Sequence, residues 1–581
     1  MVRRLVSVVL GTVLGVSCGA GSAPQPQNVL PPTASGDPPN ILWIVASDLG
    51  PDLGCYGDTY AITPRLDRLA SEGARFTLAF ATSPIGSTGW STIVTGMHAT
   101  SIGAHHHRST AVPAPHVRAF PEWLRAAGYY TATNDATGSN LSPPHEAGPV
   151  DRHIAPVGAW NDSSATAHWR HRAPDQPFFL AFNLDATHER HIRLPEERFA
   201  EHSATLGSTT RHDASAALLP PYYPESPVVR QDWARYHDLV TVMDQRVGDI
   251  LDELDADGLT DSTIVVFYGA PGRGLPRGKR WLYDSGVRVP LIVRWPGVIE
   301  PRSVREDLVS FLDLAPTMLT LAGVEAPNHL QGRVFLGPTA EPEPAQLFFT
   351  RDRIDEARDR IRAVRDRRYK YIRNFEPGRP YAQPLAERDL MPTMREWRNL
   401  AATGELAETQ QQFFAETKPP EELYDTEHDP HEVTNLAEDP KHRDRLASMR
   451  DALDRWMAKT EDLGKLSEDE LVARFRPEGV VQTAGAPRVS PAGGTFHGPP
   501  TVTISCPTEG SSAVYTTALK GEPEWTLYTQ PFRIGDWRLR AKCARLGFLD
   551  SDIVDYPFDV EFHWRVPETP TRQPSRLGEI R

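Results

Sequence analysis

The chain has 581 residues, which exceeds the usual limit for one hydrophobic core and predicts two or more domains. Hydrophobic residues make up 39% and charged residues 24%, as in ordinary soluble globular proteins. The formal net charge of -14 argues against nucleic acid as a main partner, because phosphate binding needs a basic face. Any binding of sulfated or phosphorylated glycans must therefore depend on a local basic pocket.

The first segment, residues 1–38, has the features of an export signal followed by a Pro-rich tether. Two arginines precede an apolar run that is too short to span a bilayer comfortably. The run ends at Cys18 and resembles a bacterial lipoprotein signal, although Gly15 departs from the aliphatic residue usual there. We predict a lipoprotein of the bacterial cell envelope, held on the membrane through Cys18. The alternatives are a periplasmic or secreted protein cut near Ala23, or an unprocessed apolar N-terminus.

The next segment, residues 39–345, alternates strands with helices. A continuous apolar run at Asn40–Ala46 is typical of a buried parallel strand. The other predicted elements are helices at 64–73, 120–128 and 233–254 and strands at 178–182, 263–267 and 289–293. This alternation predicts an α/β core with a mainly parallel sheet covered on both faces. Ligands bind such sheets beyond the carboxyl ends of the strands, so we expect functional residues in the segments directly after Ala46, Phe182 and Phe267.

The remaining segments differ from the core in their predicted secondary structure. Residues 346–463 predict a smaller α+β subdomain with strands within 362–372 and a charged helix at 443–460, and residues 464–487 read as a polar linker. Period-two alternation in residues 488–562 predicts a β-sandwich, and 563–581 is a tail. The sandwich resembles the C-terminal module of chitobiase and other bacterial glycan-acting enzymes. It could serve as a spacer or bind carbohydrate. Cys506 and Cys543 could pair in an oxidising compartment or remain separate buried thiols.

Several local patterns in the core carry a family resemblance. They are Ile41–Asp48, Gly54–Asp58, Thr63–Ala70, Thr95–Met97, Gly128–Tyr130, Leu282–Pro290, Asp313–Thr317, Glu422–Asp425 and Asn435–Leu436. Together they resemble the sulfatase family, a branch of the alkaline phosphatase superfamily, from Pro39 to about Leu463. The run Thr95–Gly103 with the following histidines looks most like bacterial relatives of heparan N-sulfatase. The resemblance implies an alkaline phosphatase-like fold for the core.

The family mechanism sets the residues to inspect. In the family, acidic oxygen ligands hold a calcium ion, which as a hard cation prefers them. The cysteine of a Cys-x-Pro-x-Arg motif is oxidised to formylglycine, whose hydrate attacks the sulfur of the substrate. The metal and nearby Lys, His and Arg side chains stabilise the sulfate oxygens.

The nucleophile motif departs from the family in this chain. It reads Gly86-Ser-Thr-Gly-Trp90, so Gly86 stands at the family cysteine and Trp90 at the family arginine. Gly86 has no side chain to oxidise, and Trp90 cannot hold a charge. A lysine that follows the Gly-Tyr-Tyr strand in the relatives is replaced by Ala136. We therefore expect no formylglycine cofactor.

The metal ligands depart as well. Ser47-Asp48 stands where the family has an Asp-Asp pair, and Ala270-Pro271 stands where it has Asp-His or Asp-Asn. Calcium needs about six to eight oxygens, several of them anionic, and Asp48 alone cannot supply them. Small neutral residues would also relieve the repulsion among carboxylates left without a metal. We therefore expect no calcium, and Asp48 is either a vestige of the site or a turn cap.

Three other positions match family residues that contact sulfate or flank such a residue. His188 matches a sulfate-contacting histidine and Lys279 a second lysine, with Arg277 close to it in sequence. They could bind an anionic or sulfated glycan, or be an ordinary loop histidine and a solvated basic turn. The run His105–His107 is a weak candidate for a metal site. Ser87 and Thr88 are weak candidates for a substitute nucleophile, because neither has an obvious base in the sequence.

The leading hypothesis is a sulfatase-family pseudoenzyme that lacks sulfuric ester hydrolase activity and binds an anionic or sulfated glycan. One alternative is an active hydrolase of sulfate or phosphate esters with a rearranged centre. Another is a structural, lipid-anchored envelope protein without a ligand.

Overall fold

The computed structural model describes residues 38–134, 139–142, 157–518 and 524–561. The predicted export signal, the lipidation site at Cys18, Ala136 and the C-terminal tail lie outside these residues. Within the described ranges, no helix combines the length and the apolar character needed to cross a membrane.

A seven-stranded mixed sheet forms the centre of the core. Its strands are β1 (Asn40–Ala46), β2 (Ala74–Phe80), β3 (Tyr130–Thr133), β4 (Phe178–Leu184), β5 (Thr263–Gly269), β6 (Leu291–Arg294) and β7 (Ser303–Ser310). They lie in the order β3-β4-β1-β5-β6-β2-β7. Neighbours pair in parallel except at β6, which is antiparallel to both β5 and β2. The predicted mainly parallel sheet is confirmed.

Helices cover both faces of this sheet. They are α1 (Pro64–Glu72), α2 (Gly86–Thr95), α3 (Phe120–Ala126), α4 (Glu189–Ile192), α5 (Glu196–His202), α6 (Pro227–Ala256), α7 (Asp284–Val287) and α8 (Leu314–Leu321). Successive side chains of β1 point to opposite faces, as strand geometry requires. Leu42 and Ile44 join the core that contains α6, and Trp43 and Val45 join the core that contains α2, α3 and α8.

A smaller antiparallel sheet follows the core. Its strands β8 (Leu347–Arg351), β9 (Ile361–Arg365), β10 (Tyr369–Asn374) and β11 (Glu421–Asp425) lie in the order β11-β10-β9-β8. The accompanying helices are α9 (Ala386–Asp389), α10 (Pro392–Thr403), α11 (Glu408–Gln411) and α12 (Arg443–Lys459). Leu446, Met449, Leu453 and Trp456 of α12 pack on this sheet and form a separate apolar cluster with it.

The stretch predicted to be a linker contains a helix, α13 (Glu468–Phe475). Ser467 and Glu470 form a capping box at its start, and Leu471 is buried. Phe475 packs closely against Gly103 of the core. A capping box satisfies the first backbone donors of a helix, which explains why this polar stretch is helical.

Two C-terminal sheets share one apolar cluster and form the predicted sandwich. The strands are β12 (Arg488–Ser490), β13 (Gly494–Phe496), β14 (Thr501–Ser505), β15 (Ser512–Thr516), β16 (Thr526–Leu527), β17 (Phe532–Arg533), β18 (Trp537–Ala544) and β19 (Val554–Val560). Cys506 and Cys543 form a disulfide, with their Cα atoms 5.9 Å apart. The pairing left open by the sequence is thus settled. The likeness to the chitobiase module stays a prediction.

Candidate functional site

The candidate site lies at the carboxyl ends of three neighbouring strands, β4, β1 and β5. The Ser47 N–H donates to the Leu184 carbonyl at 2.9 Å, and the Ala270 N–H donates to the Ala46 carbonyl at 2.7 Å. Helix α2 approaches the same edge, because a Cβ atom at Gly89 would lie only 3.2 Å from Pro271 Cγ. The sheet order therefore brings together segments that are far apart in sequence.

Asp48 is buried at this edge and is engaged by a cation. Its Oδ2 atom accepts hydrogen bonds from Lys279 Nζ and from the Glu189 N–H, both at 2.8 Å. The ring of His188 lies nearby, with Nε2 4.0 Å from the same oxygen. The structure thus brings His188 and Lys279 together at Asp48. Lys279 is only 6% exposed, whereas the His188 side chain is 32% exposed.

Glu189 extends this pair into a buried ionic network. Lys279 Nζ lies 3.0 Å from Glu189 Oε1, and Arg280 donates to both Glu189 oxygens at 2.7 and 2.9 Å. Arg280 Nε also donates to Asp355 at 2.9 Å. Burial alone would raise the pKa of Glu189, but Arg280 and Lys279 hold it well below its usual range. The network therefore keeps its charges ionised inside the protein.

A second chain of contacts continues from this network to helix α2. Asp355 Oδ1 lies 3.5 Å from His107 Nε2, and His107 Nδ1 lies 2.7 Å from Ser87 Oγ. The His107 N–H donates to the Arg353 carbonyl at 2.9 Å, which holds the histidine beside the loop that carries Asp355. Ser87 Oγ therefore lies within hydrogen-bond distance of an imidazole nitrogen, a partner that the sequence did not predict. The sequence carried no signal for it, because the pairing depends on contacts between distant loops.

The backbone is unusual around this network. Asp48, Arg108, Arg280 and Asp355 have φ values of 48°, 53°, 82° and 49°, in the left-handed region that residues other than glycine rarely adopt. Such conformations cost free energy and persist only where their surroundings hold them. Four such residues around one group of charged side chains therefore indicate that the surrounding contacts constrain the backbone at this site.

Arg277 does not join His188 and Lys279, which corrects part of the predicted anion-binding group. Its guanidinium donates to the carbonyls of His431 and Glu432 at 3.0 and 2.6 Å. It also lies over the rings of Tyr222 and Tyr283, at 4.3 and 3.9 Å from their centroids. Cation–π and carbonyl contacts therefore hold this buried side chain away from the edge of the sheet.

Comparison with known proteins identifies the architecture. The family model for sulfatases matches residues 39–324, and the model for the C-terminal region of N-sulphoglucosamine sulphohydrolase matches 277–416. An ulvan-active sulfatase of Formosa agariphila is 37% identical over 559 residues, covering 89% of this chain and 91% of that protein. The chain belongs to the sulfatase family.

Other relatives support this sulfatase-family assignment. Human N-sulphoglucosamine sulphohydrolase is 27% identical over 509 residues, covering 78% of this chain and 95% of that protein. A phosphonate monoester hydrolase from Silicibacter pomeroyi superposes with a TM-score of 0.53 at 17% identity, covering 73% of this chain and 96% of that one. The structural likeness shows the shared alkaline phosphatase-like fold, and the model for the C-terminal region of N-sulphoglucosamine sulphohydrolase agrees with the N-sulfatase-like resemblance of the sequence.

The residues of this sulfatase-family chain do not fit a calcium ion at the family position. Asp48 is the one carboxylate among Ser47, Asp48, Ala270 and Pro271, and a lysine ammonium already lies 2.8 Å from it. A lysine ammonium so close to Asp48 would repel a divalent ion bound to the same carboxylate. Calcium also needs about six or more oxygen ligands. Among the described residues, the one His, Cys, Asp and Glu trio close enough to share a metal lies at and just beyond the end of β11. The histidine run is not part of it.

The nucleophile motif of the family has also been rebuilt. Trp90 is buried in the apolar cluster against which Ala270 packs, and its Nε1 atom has no hydrogen-bond partner within the described ranges. A Cβ atom at Gly86 would meet nothing within 4 Å, so open space remains where the family nucleophile would project.

Proposed function

We propose that this sulfatase-family protein recognises a sulfated or otherwise anionic glycan without hydrolysing sulfuric esters through calcium and formylglycine. The observation that carries the proposal is the contact of 2.8 Å between Lys279 Nζ and Asp48 Oδ2. The Lys279 ammonium balances the charge of Asp48, which is the one carboxylate at the positions that match the family metal ligands. A buried, paired carboxylate of this kind is not available as a metal ligand.

The glycan part of the proposal is supported by the relatives and by the rim of the site. The Formosa agariphila protein, 37% identical to this chain, is described as ulvan-active. His188 is partly exposed beside Asp48, and Arg108 is exposed next to His107. These two residues are the accessible nitrogen-bearing side chains through which we expect acidic groups of a glycan to bind.

Calcium titration and ester assays on the full chain test the loss of the family chemistry. We expect no stoichiometric calcium binding by calorimetry and no turnover of 4-nitrophenyl sulfate, with the Formosa agariphila sulfatase as positive control. Gly86→Cys should fold, because its side chain has room, yet remain inactive in a host that makes formylglycine. One bound calcium per chain, together with sulfate release that a chelator abolishes, would refute this part of the proposal.

Affinity electrophoresis in gels containing ulvan, or the same polysaccharide after desulfation, tests the glycan part. We expect retardation by the sulfated form, reduced in His188→Ala and Arg108→Ala. Arg68→Ala is the matched control, because Arg68 is a 66% exposed arginine on α1, paired with Glu72. Equal migration in both gels, or equal loss in the control, would contradict the proposal.

A further inference from the structure

Ser87, His107 and Asp355 have the mutual arrangement of a nucleophile, a base and an orienting carboxylate. The Ser87 Oγ to His107 Nδ1 distance of 2.7 Å is within hydrogen-bond reach, and His107 Nε2 lies 3.5 Å from Asp355 Oδ1. Burial lowers the pKa of His107, as do the nearby cations Arg108, Arg280 and Lys279, whereas Asp355 opposes that shift. The imidazole is therefore neutral at ordinary pH, and with its proton on Nε2 it can accept the Ser87 proton at Nδ1.

Each member of the trio is fixed by a different segment. Ser87 lies in the first turn of α2, and the Arg108 N–H donates to its Oγ at 3.3 Å. Asp355 is held by Arg280 Nε at 2.9 Å, and its carbonyl accepts from Arg353 Nη1 at 3.0 Å. The left-handed backbone at Asp355, with φ of 49°, is a further sign that this carboxylate is held in place.

We propose that Ser87 is the nucleophile of a carboxylic ester hydrolase activity, with His107 as general base and Asp355 as a positioning residue. Ser87 Oγ attacks the acyl carbon and its proton passes to His107 Nδ1. The bond between the acyl carbon and the alcohol oxygen then breaks, and His107 returns the proton to the departing alcohol. Water then attacks the acyl carbon and gives a proton to His107 Nδ1. The bond between the acyl carbon and Ser87 Oγ breaks, and His107 returns that proton to Oγ as the carboxylic acid leaves.

The start of α2 provides donors for the oxyanion that forms in this reaction. The first backbone hydrogen bond of the helix runs from the Gly89 N–H to the Ile85 carbonyl at 3.0 Å, and Ile85 provides no side-chain cap. The N–H groups of Gly86 and Ser87 precede that bond. Helix N-termini stabilise negative charge, and such donors are worth most when they are preorganised at the reacting atom. A Cβ atom at Gly86 would meet no other atom within 4 Å, so we place the acyl group on this side of the helix start.

The charge of the buried network decides in favour of an uncharged ester. The cations Lys279 and Arg280 face three carboxylates, those of Asp48, Glu189 and Asp355. The buried network therefore has no excess positive charge with which to stabilise a sulfate or phosphate group being transferred at Ser87, whereas acidic groups elsewhere on a glycan would contact the rim residues His188 and Arg108. Transfer of such groups spreads negative charge over several oxygens and needs cationic clamps, whereas acyl transfer develops a single oxyanion. We assign a neutral carboxylic ester, such as an O-acyl group on a glycan, as the substrate class.

Hydrolysis of 4-nitrophenyl acetate and butyrate by the full chain tests this activity. Ser87→Ala and His107→Gln should reduce turnover to background. Asp355→Asn should lower kcat by about 10² to 10⁴-fold with little change in KM, a split that general unfolding would not produce. Thr88→Val is the matched control, because the neighbouring Thr88 hydroxyl is buried without a hydrogen-bond partner in the described chain. It should retain full activity.

A covalent readout separates the proposal from unfolding of a variant. A fluorophosphonate probe should add one label to the unmodified protein, located on the peptide containing Ser87 by mass spectrometry, and none to Ser87→Ala. The unmodified protein and Ser87→Ala are assayed in parallel with 4-nitrophenyl sulfate and 4-nitrophenyl phosphate. Absence of both ester turnover and label, or turnover that survives in Ser87→Ala, would overturn the proposal. Ser87-dependent cleavage of the sulfate or phosphate instead of the acyl ester would overturn the assigned substrate class. Calcium binding is measured in a separate experiment. A negative result for ester hydrolysis is therefore distinct from a result that contradicts the proposed absence of calcium-dependent sulfatase activity.

Discussion

Replacing Lys279 with methionine tests whether the Lys279 ammonium balances the charge of the buried Asp48 carboxylate. Lys279 is 6% exposed and contacts Asp48 at 2.8 Å and Glu189 at 3.0 Å. Methionine keeps the length of the side chain, so little volume is lost. Glu189 would keep Arg280, whereas the contacts left to the Asp48 carboxylate among the described residues would be the Glu189 N–H and the distant ring of His188. Breaking a buried pair and stranding one charge costs about 3–5 kcal/mol.

For a core of this size, each kcal/mol lowers Tm by roughly 2 °C, so we expect Lys279→Met to melt about 6–10 °C below the unmodified protein. Adding Asp48→Asn should recover a large part of the loss, because it removes the stranded charge. Asparagine also tolerates the left-handed backbone at this position, where φ is 48°. Thermal denaturation followed by circular dichroism at pH 7.5 provides the measurement.

The matched control is Arg68→Met, which breaks an exposed pair on α1 in which Arg68 donates to Glu72 at 2.7 Å. Exposed pairs contribute about 0–1 kcal/mol, so its Tm should change by no more than about 2 °C. If Lys279→Met changed Tm as little as the control, the ammonium would not be balancing a buried carboxylate. If the double variant were less stable than the single one, the stranded charge on Asp48 would not be the cause.

Two further predictions concern stability. Burial lowers the pKa values of His98 and His105 to about 3 and of His106 to about 4, so the unfolded chain binds more protons than the folded one below about pH 6.5. Each should remove up to about 1.4 kcal/mol of stability per pH unit as the pH falls below about 6.5, whereas Asp232, Asp244 and Asp313, whose pKa values burial raises to about 6, act in the opposite direction. The histidine contribution is therefore measured as the difference in the pH dependence of Tm between the unmodified protein and His105→Gln, which should lose less stability from pH 7 to 5. Equal pH dependence of the two would show that His105 is protonated in the folded state. Cys543→Ser opens a loop of 37 residues closed by Cys506, and should destabilise the C-terminal sandwich by about 3–4 kcal/mol without lowering the core transition. Calorimetry with a reductant control distinguishes the two transitions, and an unchanged sandwich transition would contradict the expectation.

Ion-pair geometry connects the proposals. The contacts from Asp48 through Lys279, Glu189 and Arg280 reach Asp355 and then His107 and Ser87. At the position that matches the family metal site, these charges pair with one another, and Arg280 holds the Asp355 carboxylate beside His107. The proposed loss of calcium chemistry and the proposed ester hydrolysis therefore depend on the same residues.

The sequence by itself determined the fold and the loss of the family residues. The apolar run Asn40–Ala46 and the amphipathic spacing within Pro227–Ala256 are local patterns, and each predicts its element because burial follows the period of the backbone. Gly86, Ala270 and Pro271 could be recognised as departures because the flanking motifs set their register. These inferences need no knowledge of which side chains meet.

The tertiary structure alone decided which side chains pair. Lys279 contacts Asp48 whereas Arg277, two residues away, turns to the carbonyls of His431 and Glu432, a difference that depends on backbone direction in one turn. His107 reaches Ser87 only because its backbone is bonded to the loop after β8. Contacts of this kind join distant segments, and their energies depend on ångström-scale geometry that no local sequence pattern encodes.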